Sequence, residues 1–251
     1  LHRLFEPITK ATLDVTPSTA VTVIRDALHI ATAGMPGPVH LQVPNDVARV
    51  AVEITELSEE SATVTEVCPS ITEADLTKAA NSLTLAERPV VVVGLGLEPE
   101  GPYVELRDFA ERLGAPVLST PKAKGSLPAS HVLCSETIGV TRTDPGYELI
   151  AEADLVIAIG VDVVELVLPW SVEASIIWIA PWADPIGVAT AEQRLLGPVG
   201  LTLLDLIERF PKSGSNWGVD RSYQYVQARH RRSRDAAARA SPGTIAPQIV
   251  L

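Results

Sequence analysis

Four consecutive valines, Val90, Val91, Val92 and Val93, stand between Arg88-Pro89 and Gly94-Leu95-Gly96. No polar residue interrupts them, so a strand built from them has no face to turn to water and must be covered on both sides. A parallel sheet with helices on each face meets that condition, and the neighbouring sequence supplies the helices. Thr72, with Asp75 three residues on, resembles a capping box that opens a helix to about residue 86. Helical spacing recurs at about 102–113, 145–151 and 201–210, and short β-rich runs stand at 116–119, 155–159 and 175–179. Strands separated by helices of this length join through right-handed crossovers. The expected fold class is α/β: a doubly wound, mostly parallel, Rossmann-like sheet over residues 71–211.

The flanks read differently. Residues 17–34 place Val21, Val23, Ile24, Ala27, Leu28 and Ala31 near helical spacing, with Ser18 as the expected N-cap and Gly34 as the stop. Pro36-Gly37-Pro38 then breaks the backbone before a short strand at 39–43. No earlier strand is evident to pair with it, so residues 1–50 read as the end of another α/β domain whose strand belongs in a larger sheet. Residues 51–70, rich in Glu, Ser and Thr, read as an exposed connector. Residues 212–243 read as a second one, and their basic run from Arg229 to Arg234 reads as a solvated linker helix packing on acidic surface. Residues 244–251 resemble the first turns of a further domain. The opening Leu1-His2-Arg3 fits the middle of something longer.

Charge and composition exclude several functions. A net charge of -11 repels nucleic acid phosphates, which leaves the short basic run as a poor nucleic-acid site. The longest apolar runs, 89–94 and 155–161, fall far short of the roughly 20 residues of a membrane span, so a soluble protein is expected. Cys68 and Cys134 form neither a disulfide framework nor a paired zinc site and read as reduced thiols, which points to the cytoplasm. The histidines are dispersed; only His131 has a cysteine nearby, Cys134, and two further ligands are missing, so no metal site is expected. No G-x-S-x-G nucleophile elbow occurs.

Candidate binding residues collect behind the predicted strands. Gly94 and Gly96 follow the valine run and would let backbone approach a phosphate, but the third glycine of a dinucleotide fingerprint is replaced by Pro99. Thr120 and Lys122, with Lys124, follow the next strand, and Gly160 and Asp162 follow the strand at 155–159. Ligands of open α/β sheets bind at such strand ends. No acidic residue follows the second strand to hold a ribose, which disfavours a nicotinamide cofactor. A tight turn without ligand and solvated loop lysines remain the alternatives.

Three stretches, in order and spacing, resemble one family. They are Phe5-Glu6-Pro7-Ile8-Thr9-Lys10 with the string from Gly34 through Pro-Gly-Pro-Val-His-Leu-Gln-Val-Pro-Asn-Asp to Val47; Arg88-Pro89 through Gly96; and Pro116 through Pro128, followed by Ala153-Asp154-Leu155 through Gly160. Together they resemble the thiamine-diphosphate-dependent enzymes of the acetohydroxyacid synthase and benzoylformate decarboxylase group: the end of the pyrimidine-binding domain, then the central domain, then the start of the pyrophosphate-binding domain. The resemblance implies that this chain supplies the central structural domain of a 2-oxo acid decarboxylase or carboligase. Its partners would be the missing pyrimidine and pyrophosphate domains, in a homo-oligomer. Thiamine diphosphate and Mg²⁺ would belong to the parent enzyme and not to this chain, which lacks a Gly-Asp-Gly motif and the early glutamate's context. No catalytic residue is therefore expected here. Central domains of the family bind FAD, ADP or nothing. FAD is disfavoured because Gly160-Val161-Asp162 stands where the flavin-dependent synthases carry Gly-Ala-Arg. ADP is left open, and a nucleotide-binding module without thiamine chemistry is the alternative reading.

Overall fold

In the computed structural model the described residues are 2–51, 71–97, 101–141, 144–166, 172–183 and 191–238. Residues 52–70 of the expected connector at 51–70, with Cys68, and Pro99 and the expected domain start at 244–251 lie outside them. The chain divides into two compact units, Leu1–Cys68 and Pro69–Leu251.

The first unit corrects two expectations. The strand at Val39–Gln42 (β2) is not alone: Ala11–Asp14 (β1) pairs with it in parallel, Leu13 opposite Leu41, and the helix Ala20–Thr32 (α2) connects them after the short helix His2–Phe5 (α1). β1 escaped sequence reading because it is four residues long and ends on an exposed Asp14. Nor does Ser18 cap α2. The N-cap is Thr19, whose side chain makes no bond to the helix; the hydroxyls of Thr16, Ser18 and Thr19 bond to one another instead. Gly34 does end the segment, with φ +58.

The second unit is the doubly wound sheet. Its strands are Pro89–Val93 (β3), Val117–Ser119 (β4), Cys134–Thr137 (β5), Leu155–Ile159 (β6), Ser175–Ala180 (β7) and Gln193–Leu196 (β8), in the spatial order β5-β4-β3-β6-β7-β8 with each neighbouring pair parallel. Alternate residues divide between two cores, as a period of two requires. Val91, Val93, Ile157, Ile159, Ile177 and Ile179 meet the apolar stripes of Glu73–Leu85 (α3), Tyr103–Leu113 (α4) and Val199–Ile207 (α6). Val90, Val92, Val156, Ala158, Ile176 and Trp178 meet Leu149 and Ile150 of Gly146–Glu152 (α5) and Tyr225 of Trp217–Ala238 (α7). The Thr72–Asp75 capping box forms as read.

The unit extends past the expected boundary at 211. Instead of a solvated linker, α7 packs its first turns on the sheet: Ser222 and Tyr225 are buried, the Trp217 indole N–H donates to the Pro89 carbonyl at 3.1 Å, and Ser222 bonds Ser135 at 2.7 Å. The basic run at 229–234 continues the same helix. Edge strands β5 and β8 are additions to the strands expected.

The strand order reverses between β3 and β6, because the chain builds outward to β5 on one side and then returns to lay β6 on the other. Loops that leave these two strands at their carboxyl ends diverge, and the crevice between them is where a doubly wound sheet receives ligands. The Asp154 carboxylate locks this junction from the opposite edge, accepting from the backbone N–H groups of Glu87 (2.8 Å) and Arg88 (3.0 Å).

Candidate functional site

Where the loops after β3 and β6 meet, they touch backbone to backbone. A Cβ on Gly96 would lie 2.7 Å from the Gly160 Cα, and one on Gly94 would lie 2.4 Å from the Val161 Cα. Gly160 itself has φ +60, a conformation that glycine adopts at little cost. Close approach is thus the structural need these glycines answer.

Their amides are also committed. Gly94 N–H donates to the Ile159 carbonyl at 2.9 Å, and Gly96 N–H to the Gly160 carbonyl at 2.7 Å. Leu95 N–H, between them, donates to Glu165 Oε1 at 2.7 Å. A buried N–H must find a partner, and each of these three finds it within the chain.

Glu165 was not singled out from sequence. It sits at the end of the turn Val163–Glu165, which Asp162 builds: Asp162 Oδ1 accepts from Val164 N–H at 2.9 Å, and the Asp162 carbonyl accepts from Glu165 N–H at 2.9 Å. The turn carries the Glu165 carboxylate back over the crevice. There Oε1 also accepts from Asp162 N–H at 3.4 Å, and Oε2 accepts from the Thr120 hydroxyl at 2.7 Å. Thr120 is 0% exposed and fixed by its own N–H to the Val93 carbonyl at 2.8 Å. The only sequence signal was the spacing Asp162-x-x-Glu165 behind a strand end.

Of the candidate residues, Gly94, Gly96, Thr120, Gly160 and Asp162 therefore gather at the strand reversal, the glycines by backbone approach and Thr120 and Asp162 through Glu165. Lys122 lies in the turn Pro121–Ala123, which packs against the turn Leu95–Leu97 at the same place, although its side chain, like that of Lys124, is exposed. Nearby, burial would raise the Asp144 carboxyl, but the Thr141 hydroxyl (2.5 Å), Thr141 N–H (3.0 Å) and Val140 N–H (2.9 Å) outweigh it and hold the group below the usual carboxylate range.

A diphosphate does not fit this arrangement as it stands. The donors it would use, Leu95 N–H and the Thr120 hydroxyl, are spent on a carboxylate, and that carboxylate would repel it. Among the described residues no group of three or more His, Cys, Asp or Glu stands close enough to hold a metal ion, and no helix is long and apolar enough to cross a membrane.

The family model described as the thiamine pyrophosphate enzyme, central domain, matches residues 76–206, half of the chain. The chain belongs to this family. The chain is similar to a probable acetolactate synthase large subunit of Methanocaldococcus jannaschii, 33% identical over 172 residues that cover 62% of this chain and 27% of that protein. Glyoxylate carboligase of Escherichia coli O157:H7 is 30% identical over 162 residues, covering 64% of this chain and 27% of that protein. The matched segment thus spans about a quarter of these relatives. The crystal structure of benzoylformate decarboxylase from Polynucleobacter necessarius aligns with a TM-score of 0.65 at 20% identity, over 83% of this chain and 40% of that one. At this identity the likeness is one of fold, and it is the fold of the six-stranded parallel sheet.

Proposed function

We propose that this chain supplies the central structural domain of a thiamine-diphosphate-dependent 2-oxo acid decarboxylase or carboligase of the acetolactate synthase kind, and contributes no catalytic residue to it. The observation that carries this reading is the central-domain match, shared with relatives named as acetolactate synthase and glyoxylate carboligase. In such an enzyme the cofactor holds the carbanion formed beside the substrate carbonyl, and the protein supplies binding and orientation. Under this reading thiamine diphosphate and Mg²⁺ are held by the parent's pyrimidine and pyrophosphate domains. The central domain sets the distance between them, in a cytoplasmic homo-oligomer that binds neither membrane nor nucleic acid. The net charge of -11 supports the last of these, since it repels nucleic acid phosphates.

Calorimetric titration of the 251-residue chain with thiamine diphosphate and Mg²⁺ tests the division of labour. No saturable heat is expected, whereas the chain joined to its flanking domains should bind the cofactor and release CO₂ from a 2-oxo acid. Saturable binding to the chain alone would remove the structural-domain reading.

A further inference from the structure

We propose that the Glu165 carboxylate is a built-in occupant of an oxyanion site at the strand reversal, and that it shuts this sheet edge to phosphate-bearing ligands. The site consists of Leu95 N–H, Asp162 N–H and the Thr120 hydroxyl, which converge on the two oxygens of one carboxylate at 2.7, 3.4 and 2.7 Å. Three donors aimed at one small region are a receptor for negative charge, and backbone N–H groups keep that character whatever anion fills it. Gly94 makes the close seat possible: a Cβ there would lie 3.0 Å from Glu165 Oε1. The burial of Thr120 adds force, since a hydroxyl that is 0% exposed must keep a partner and the Glu165 carboxylate is the one it has.

Tethering decides which anion wins. Glu165 is delivered by a three-residue turn fixed by Asp162, so its carboxylate reaches the donors without the translational cost that a free phosphate meets. An incoming phosphate must also displace a group of its own charge. The tethered carboxylate therefore outcompetes free phosphate-bearing ligands for the site in the wild-type chain, and Asp162 acts as the positioning residue that aims the turn. None of this depends on which reaction the parent enzyme performs, so the proposal can fail while the structural-domain reading stands.

The test compares wild type, Glu165→Ala and Glu165→Gln of the full chain, by thermal melting with inorganic pyrophosphate or with sodium chloride at matched ionic strength. Glu165→Ala should melt lower by roughly 4–10 °C, since it strands a buried hydroxyl and two N–H donors. Saturating pyrophosphate should restore about half of that loss or more, by linkage. The wild-type midpoint should not respond. Amide exchange at Leu95 supplies a local readout: slow in wild type, fast in Glu165→Ala, slow again with pyrophosphate. Glu165→Gln keeps the length and one acceptor oxygen and should respond to pyrophosphate in the same direction, which preserves the test if the alanine variant does not fold. Pyrophosphate that raises the wild type as far as the variants, or that leaves both variants where chloride leaves them, overturns the proposal.

Discussion

A methyl group added at Gly160 would lie 2.7 Å from the Gly96 carbonyl carbon and 2.9 Å from the Leu97 nitrogen, on a residue whose φ is +60. Both faults have one cause, the need for two loops to touch at the strand reversal, and neither can relax by rotating a side chain. Gly160→Ala should destabilise by about 3 kcal/mol or more, the sum of left-handed strain and backbone overlap. Gly214 is the contrast. Its φ is not positive and a Cβ there meets nothing within 4 Å, so Gly214→Ala should be neutral or stabilise by about 0.4–1 kcal/mol through the unfolded chain. Urea midpoints measured on the two variants check this, and equal losses would show that loop contact is not what Gly160 serves. The same scale shows what sequence could and could not reveal. Gly94, Gly96 and Gly160 were legible because a glycine behind a buried strand has few reasons to be there. Glu165 was not, because its role depends on a turn that aims it at Leu95, 70 positions away in the chain. The place of Lys122 was legible from its position just behind β4, since its turn does pack against Leu95–Leu97, but the exposure of its side chain is set by loop geometry that the sequence does not display.

At the scale of elements, burial decided legibility. Strands β3 and β6, and β7 after its first residue Ser175, are covered on both faces, so their sequences run apolar without a break. Edge strands β5 and β8 have the patterns Cys-Ser-Glu-Thr and Gln-Arg-Leu-Leu, one or two buried positions among four, and carry no periodic signal above a loop. The packing of helix α7 escaped for a related reason: its 22 residues are polar on average, and the apolar stripe that meets the core is short and near its start. That stripe nevertheless completes a core. Tyr225 is 8% exposed among Val90, Val156 and Leu149, and Trp217 packs beside it. Tyr225→Ala should therefore cost about 3 kcal/mol, as large-to-small changes in a core do. A chain ended at residue 211 should lose more than that single substitution. Denaturant unfolding of both proteins checks the order, and a chain ended at 211 that is as stable as the intact one would return α7 to the status of a linker.

At the scale of the whole molecule, the two units differ in how much apolar surface each can hide. Among the described residues, Val15 and Ala27 are the buried apolar side chains of the first unit, while the second has two full cores. Its α2 shows the shortage: Leu28 is 65% exposed and Ile24 46% exposed, although both lie on the apolar side of an amphipathic helix. A parallel pair of strands needs a helix packed on it to be stable in water, and here that packing buries little apolar surface. Finding β1 beside β2 therefore removes the lone strand but not the weakness that the sequence implied, because a two-stranded sheet still has two open edges. Local opening of this unit should cost far less than global unfolding of the six-stranded one. Amide exchange at pH 7 should show Leu41 in β2 exchanging at least about 100-fold faster than Val92 in β3 or Ala158 in β6, since protection follows the free energy of the opening that exposes each amide. The difference should persist at low protein concentration. If Leu41 is protected as strongly as Val92 in a chain shown to be monomeric, the first unit has more stabilising burial than its own side chains account for. If protection rises steeply with concentration instead, the open edges of β1 and β2 are being paired between chains, the association that this unit's exposed apolar face and edges favour.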